Sequence, residues 1–219
     1  MIGATVMAAV LGSLAWWGLP RLISKKISRN ESKAIAFMKN LTSAQAQIQA
    51  SGAIDVDRNG IGEYGFLGEL AATIPIRGGS RFVEPPVVRR NGLELVRDGI
   101  YRCHGYYFQI FLPGGLGTPP RDETDGVSEH HRDRVHAPTA EVFWWALAWP
   151  VWNGFTGRRS FFVNQAGDVL SGSDWKGVYS GLERRPRPDA AKPLEGAGAP
   201  HWSRAVNTTG RSGFRWTVV

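Results

Sequence analysis

Residues 2–19, IGATVMAAVLGSLAWWGL, carry no charge, and after Gly18 no glycine follows until Gly52. Glycine and proline are the residues that most readily interrupt a helix. Only Pro20 stands in the way, and inside a helix it is expected to bend the rod by removing one hydrogen bond. The sequence therefore predicts one helix from residue 2 to about residue 51, on the order of 75 Å long. Its uncharged part spans about 27 Å, enough to cross a bilayer core when Leu22 and Ile23 extend the apolar face. Trp16 and Trp17 stand where an interfacial aromatic belt would lie. The run reads as a membrane anchor, residues 1–20. A cleaved signal peptide would show a positive start and a small-residue cleavage site, and neither is evident.

The helical pattern continues past the anchor. Ile27, Ala34, Leu41 and Ile48 recur every seven residues, and Ile23, Ala36, Met38 and Ala44 broaden the stripe. Lys33, Lys39, Asn40 and several glutamines lie between them. Residues 21–52 thus form an amphipathic continuation whose apolar face something must cover. Four heptad positions are few for a coiled coil.

After Gly52 the pattern changes. Residues 63–72 suggest a short helix ending before Pro75. Strands are expected at Leu93–Val96, Ile100–Cys103, Tyr106–Leu112, Glu141–Trp149, Arg159–Asn164 and Asp168–Leu170. Asp98-Gly99 marks one tight turn and Gln165-Ala166-Gly167 another. Consecutive strands with little helix between them imply an antiparallel sheet, and the 27 glycines and 13 prolines agree with many turns. The fold class is α+β: a long N-terminal helix packed on a small antiparallel β domain, residues 53–181. Residues 114–139 read as a polar loop, and 182–219 as an irregular C-terminal segment rich in Gly, Pro and Arg.

The net charge is +7, and 20 of the 26 basic residues are arginine. They are scattered, as on a basic surface facing anionic lipid or polymer. No nucleic-acid recognition motif accompanies them, so nucleic acid is not an expected partner. Cys103 is the only cysteine, which excludes an intrachain disulfide and a four-cysteine zinc site.

Several clusters invite chemical readings. In DVDRNG, Asp55, Asp57 and Asn59 alternate before Gly60, as in a calcium loop, with Glu63 available at the ninth position. The twelfth position is Phe66, which offers no ligand, so calcium there would be weak; an Asx-rich turn explains the same residues. Glu129, His130, His131, Asp133 and His136 cluster in the polar loop without the spacing of a helical zinc motif. Cys103-His104 suggests a thiol beside a base, but strand neighbours point to opposite faces. Asn207-Thr208-Thr209 fits the glycosylation pattern. Trp144, Trp145, Trp149 and Trp152 fit core positions, or a binding patch if exposed.

Four stretches together carry a family resemblance. Pro20 stands where a proline kinks the pilin helix after its apolar half. RNESKAIAFMKNLTSAQAQIQ, residues 29–49, places an Asn-Glu pair ahead of Ala-Ile and then Ser-Ala-Gln. DVDRNGIGEYGFLGEL, GYYFQIFLPG and WPVWNGFTGRRSFFVNQAGDVL complete the set. Over residues 2–180 the chain resembles type IV pilins and the pseudopilins of type II secretion, in a planctomycete-type pilin-like branch. The resemblance implies a structural subunit, not an enzyme, that assembles through its N-terminal helix with other pilin or pseudopilin subunits. It implies an inner-membrane, single-pass placement with the sheet domain extracytoplasmic. Small residues such as Gly3, Ala8 and Gly12 would let helices approach closely. One departure stands out. The family's assembly glutamate aligns with Gly3, and no basic leader precedes it here. The basic cluster Arg21, Lys25, Lys26 and Arg29 would by itself favour the opposite orientation, which such a leader would overrule. Two other classes compete: a membrane-anchored extracytoplasmic binding module that does not polymerise, and a metal-dependent hydrolase using the histidine loop.

Overall fold

The computed structural model describes residues 2–97, 99–115, 121–122, 135–174, 176–192, 194 and 204–219; the side chains of 2–19 and of 121–122 lie outside the description. Helix α1 (Ile2–Ser51) is continuous through Pro20. It ends as its sequence dictates. Gly52 takes a left-handed φ of 61°, and its N–H closes on the Gln49 carbonyl at 3.2 Å.

From Ile27 onward one face of α1 is buried: Ile27, Ala34, Met38, Leu41, Ala44 and Ile48. Ala36 is solvent-exposed and Ile23 only half-buried. Two residues past Ala34 is about 200° around the helix, so Ala36 faces away from the stripe. Among the described residues no helix is long and apolar enough to cross a membrane. The expected anchor, residues 1–20, falls almost wholly among side chains outside the description.

Eight strands form one antiparallel sheet. They are β1 (Glu94–Arg97), β2 (Ile100–Cys103), β3 (Tyr106–Leu112), β4 (Arg121–Asp122), β5 (Trp145–Pro150), β6 (Arg159–Asn164), β7 (Leu170–Ser173) and β8 (Trp216–Val218). Their order is β1-β2-β3-β5-β6-β7-β8, with β4 added beside β3. Two single-turn helices complete the fold, α2 (Leu67–Leu70) and α3 (Ala137–Ala140). The short helix expected over 63–72 is thus one turn long. The strand expected from Glu141 begins only at Trp145, because Pro138 opens a helical turn ahead of it. Pro150 closes β5 as its last residue. His104 and Gly105 join β2 to β3 in a two-residue turn with φ of 50° and 81°, the twist that tight hairpins require.

Side chains alternate across the sheet with period two. On one face Tyr106, Phe108, Ile110, Leu112, Ala146, Ala148, Phe161 and Val163 pack against the buried stripe of α1, with Ile54, Phe66, Leu67 and Leu70 closing the end. On the other, Tyr107, Phe111, Trp145, Leu147, Trp149, Phe162 and Trp216 meet Tyr179, Ala190, Ala191, Ala205 and Phe214. The C-terminal segment is irregular in backbone apart from β8, as expected, but it is a packed layer. It covers the sheet face that α1 leaves bare. Without it, β5, buried along its whole length, would expose three tryptophan and leucine side chains.

Gln45 is fully buried in the stripe. Its Nε2 donates to the Gly65 carbonyl at 2.8 Å, and its Oε1 accepts the Gly65 N–H at 2.9 Å. The side-chain amide substitutes for a strand partner at a buried backbone position. Gln45→Ala should cost about 1–3 kcal/mol, since both groups of Gly65 lose their partner away from water; urea unfolding of the full chain in detergent measures it.

Candidate functional site

The Asn-Glu pair of the sequence falls at the first buried turns of α1. Asn30 Nδ2 donates to the Thr156 carbonyl at 3.0 Å. Glu31 Oε1 accepts the Arg158 N–H at 2.8 Å, and its Oε2 meets Arg159 Nε at 2.7 Å. One helical turn thereby clasps the loop between β5 and β6. The loop is shaped for this close fit. A Cβ on Gly157 would lie 1.9 Å from Tyr106 Oη, and that hydroxyl donates to the Arg159 carbonyl at 3.0 Å. Burial and the Glu31 charge hold the Tyr106 hydroxyl in its neutral, donating form. Glu31→Ala should cost about 1.5–3 kcal/mol, the range for hydrogen bonds to charged groups. Glu31→Gln should recover part of that through the Arg158 N–H; thermal melts of both variants check the order.

The calcium-like stretch separates into two parts. Asp55 Oδ1 and Asp57 Oδ1 accept the Asn59 N–H at 3.1 and 3.2 Å, and Asp55 Oδ2 accepts the Gly60 N–H at 3.1 Å. Asn59 Nδ2 bridges Asp57 and Glu141. The Asp57–Asn59 contact is an Asx-turn bond, and the Asp55 carboxylate closes the loop on N–H groups four and five residues on. Glu63, expected as a fourth oxygen donor, is turned inward. Its Oε1 accepts the Val56 N–H at 2.7 Å, and its Oε2 pairs with Arg77 Nη2 at 3.0 Å. The structure thus groups Asp55, Asp57 and Asn59 and holds Glu63 apart in a buried cluster. Among the described residues no group of three or more His, Cys, Asp or Glu could hold a metal ion.

That buried cluster is a site that sequence reading missed. Arg77 lies between two carboxylates: Glu63, and Glu69 at 2.7 Å from its Nη1. All three residues are 3% exposed or less. Glu69 also accepts the N–H groups of Phe66 and Arg77 at 2.8 and 2.7 Å, while Arg77 Nη2 reaches the Tyr64 carbonyl at 2.8 Å. The guanidinium stands over the Phe66 ring, 5.4 Å from its centroid. With two carboxylates sharing one cation inside an apolar core, the cluster organises the loop that wraps the end of α1. Spacing gives no hint of it, because residues 63, 69 and 77 share no helix or strand.

Of the histidine loop, Glu129, His130, His131 and Asp133 lie outside the described residues. His136 precedes α3, with its Nδ1 2.7 Å from the Thr139 hydroxyl. Cys103 is buried against α1, and His104 sits in the tight turn, outside the strand. Burial pushes the Cys103 thiol up, against the opposing pull of Lys33, and burial lowers His104 with Lys33 adding to the effect. A thiol held protonated and a base held unprotonated, with no bond between them, make a poor nucleophilic pair. Asn207 of the glycosylation pattern is exposed, with a left-handed φ of 55°. Trp144, Trp145 and Trp149 are core; Trp152 is 60% exposed.

Asp174 anchors the next loop from the interior. Its Oδ1 and Oδ2 accept the N–H groups of Val178 and Tyr179, both at 2.7 Å. Burial raises its carboxyl above the ordinary range, and those N–H bonds only partly offset this. A raised acid binds its proton more tightly folded than unfolded. It therefore contributes stability below the unfolded carboxylate range, near pH 4, that is lost as pH rises through the folded value. The stability difference between wild type and Asp174→Asn should shrink accordingly over that window, as pH-dependent urea unfolding would record.

The described geometry brings together helix, sheet and wrapping loops through polar contacts that hold position. It assembles no nucleophile with its base. In comparisons with known proteins, the chain matches no family model, no curated protein and no solved structure.

Proposed function

We propose that this chain is a structural subunit of a type IV pilus-like or type II secretion pseudopilus-like filament, held in the inner membrane by residues 2–20 and assembling through α1. The observation that carries the reading is continuity. A single helix, Ile2–Ser51, joins the uncharged run to the stripe clasped on the sheet. A rod that leaves a rigid domain along its own axis suits side-by-side packing. The Asn30–Glu31 clasp, the Gln45–Gly65 bonds and the Arg77 cluster fix the rod's position on that domain, so each subunit presents the same surface to the next. Assembly of this kind needs apolar contact and close helix approach and makes no bond. The partners are other subunits of the same class, and the sheet domain stands outside the cytoplasm.

The test is crosslinking in the membrane. Leu22 is 64% exposed on α1, and the native Cys103 is buried, so Leu22→Cys supplies one reactive thiol. Co-expression with an assembly apparatus and oxidation with copper phenanthroline should give a disulfide-linked dimer, the largest product one thiol per chain allows, and an amine-reactive crosslinker should extend it to a ladder of higher-order species. A chain that resists alkaline extraction but stays monomeric throughout is a membrane-anchored module, and the filament reading fails. Release by alkali removes the anchor itself.

A further inference from the structure

We infer that the turn Trp152–Thr156 is an interfacial collar that rests on the anionic headgroup layer of the bilayer α1 enters, an inference that depends on the membrane reading of α1. Trp152 and Phe155 are 60% and 45% exposed, yet their ring centroids are only 4.3 Å apart. The pair is not displayed by a loose loop. The Trp152 carbonyl accepts the N–H groups of Phe155 and Thr156 at 3.1 and 2.9 Å. The Thr156 hydroxyl accepts the Trp152 N–H at 2.9 Å. A turn this well bonded holds two large aromatic side chains in contact with solvent.

Its position is defined by the clasp. Asn30 and Glu31 bond the backbone of Thr156 and Arg158, so the turn lies beside the first buried turns of α1. Arg21 is nine residues away, about 14 Å along the helix. Among the described residues the exposed charge beside it is basic. No Asp or Glu occurs in residues 1–30 or 142–167. Arg21, Lys25, Lys26 and Arg29 are exposed on α1, and Arg158 is exposed beside the turn. Two acids touch the turn and its loop, and both are buried and engaged: Glu31 by Arg159, and Asp174 by Asn153 Nδ2 and the N–H groups of Val178 and Tyr179. Tryptophan and its neighbours favour the headgroup level of a bilayer, and each cation near an anionic surface adds about a fivefold gain in association. Two collars face to face would oppose like charges, so a lipid layer fits better than a copy of the collar.

The full chain in proteoliposomes tests this. Nitroxide is placed at Phe155→Cys, and, as a control, at Phe82→Cys, which borders the groove beside Gln47–Ala53 at the other end of the sheet-packed helix. In phosphatidylcholine vesicles containing phosphatidylglycerol, the label at 155 should collide preferentially with membrane-dissolved oxygen, and the label at 82 with a water-soluble nickel chelate. Leaving out phosphatidylglycerol should weaken the contrast. Equal, water-like behaviour at both positions in vesicles that keep the chain through an alkaline wash overturns the collar while sparing the anchor. Spin–spin broadening at 155 overturns it too, by seating a second copy there. If the wash strips the chain, the anchor reading fails by itself. The collar is then read from sedimentation at neutral pH. Wild type should bind phosphatidylglycerol vesicles about tenfold better than Trp152→Ser/Phe155→Ser, and equal binding ends the proposal.

Discussion

Arg77→Ala should remove about 3–5 kcal/mol of folding stability, the cost of breaking a buried ion pair by deleting one partner. Among the described residues the guanidinium is the one cation between Glu63 and Glu69, at 3.0 and 2.7 Å. Both carboxylates are held by backbone N–H groups, of Val56 for one and of Phe66 and Arg77 for the other. They cannot swing to water without breaking the loop that closes the end of α1. Deleting the arginine leaves two like charges in an apolar core, where the dielectric screens little. Arg77→Lys should rescue poorly, since one ammonium cannot present two fixed N–H groups to two carboxylates. Combining Arg77→Met with Glu63→Gln and Glu69→Gln should recover much of the loss, because no charge is then stranded. Urea unfolding followed by far-ultraviolet circular dichroism separates these variants. An alanine variant within about 1 kcal/mol of wild type is incompatible with a buried ion pair of this kind.

Trp149→Ala should be comparably severe, at about 3–5 kcal/mol for emptying a fully buried indole site. The indole lies on central strand β5, packs against Tyr107 with ring centroids 5.7 Å apart, and donates to the Gly181 carbonyl at 2.8 Å. Trp145, four residues earlier on the same face, donates to the Pro188 carbonyl at 2.9 Å. These two bonds fasten the start of the C-terminal layer to the sheet. The variant should therefore do more than lower the melting temperature. Tryptic cleavage within Arg184–Arg187 should accelerate well before global unfolding, because the segment loses its seat. Trp149→Phe, which keeps an aromatic ring but loses the N–H, should show the milder cost of one missing hydrogen bond, about 1–3 kcal/mol. Cleavage unchanged in both variants would mean that the layer is held elsewhere.

The resemblance to pilins pointed to a helix clasped on a sheet, and the residues that do the clasping stand inside the quoted stretches. Asn30-Glu31, Gln45, Gly65 and Arg158–Arg159 were visible there as letters, without their pairing. The heptad Ile27, Ala34, Leu41, Ile48 was readable because burial on a helix repeats with the helical period. Buried polar side chains on the same stripe carry no such periodic mark. Glu63 shows the limit most plainly. Local spacing suggested a calcium ligand, whereas its carboxylate answers to Arg77, fourteen residues on.

Chain order alone determined the elements: an uninterrupted rod ended by Gly52, strands set off by Gly, Pro and Asp-Gly turns, and an antiparallel sheet. Those follow from local propensity and periodicity, which short windows contain. Which face of the sheet each partner takes was decided only by the tertiary structure. Residues 182–219 read as irregular because no repeat organises them, yet Ala190, Ala191, Ala205 and Trp216 among them are buried over the face opposite α1. That burial depends on contacts between residues distant in sequence, and such contacts leave no local trace.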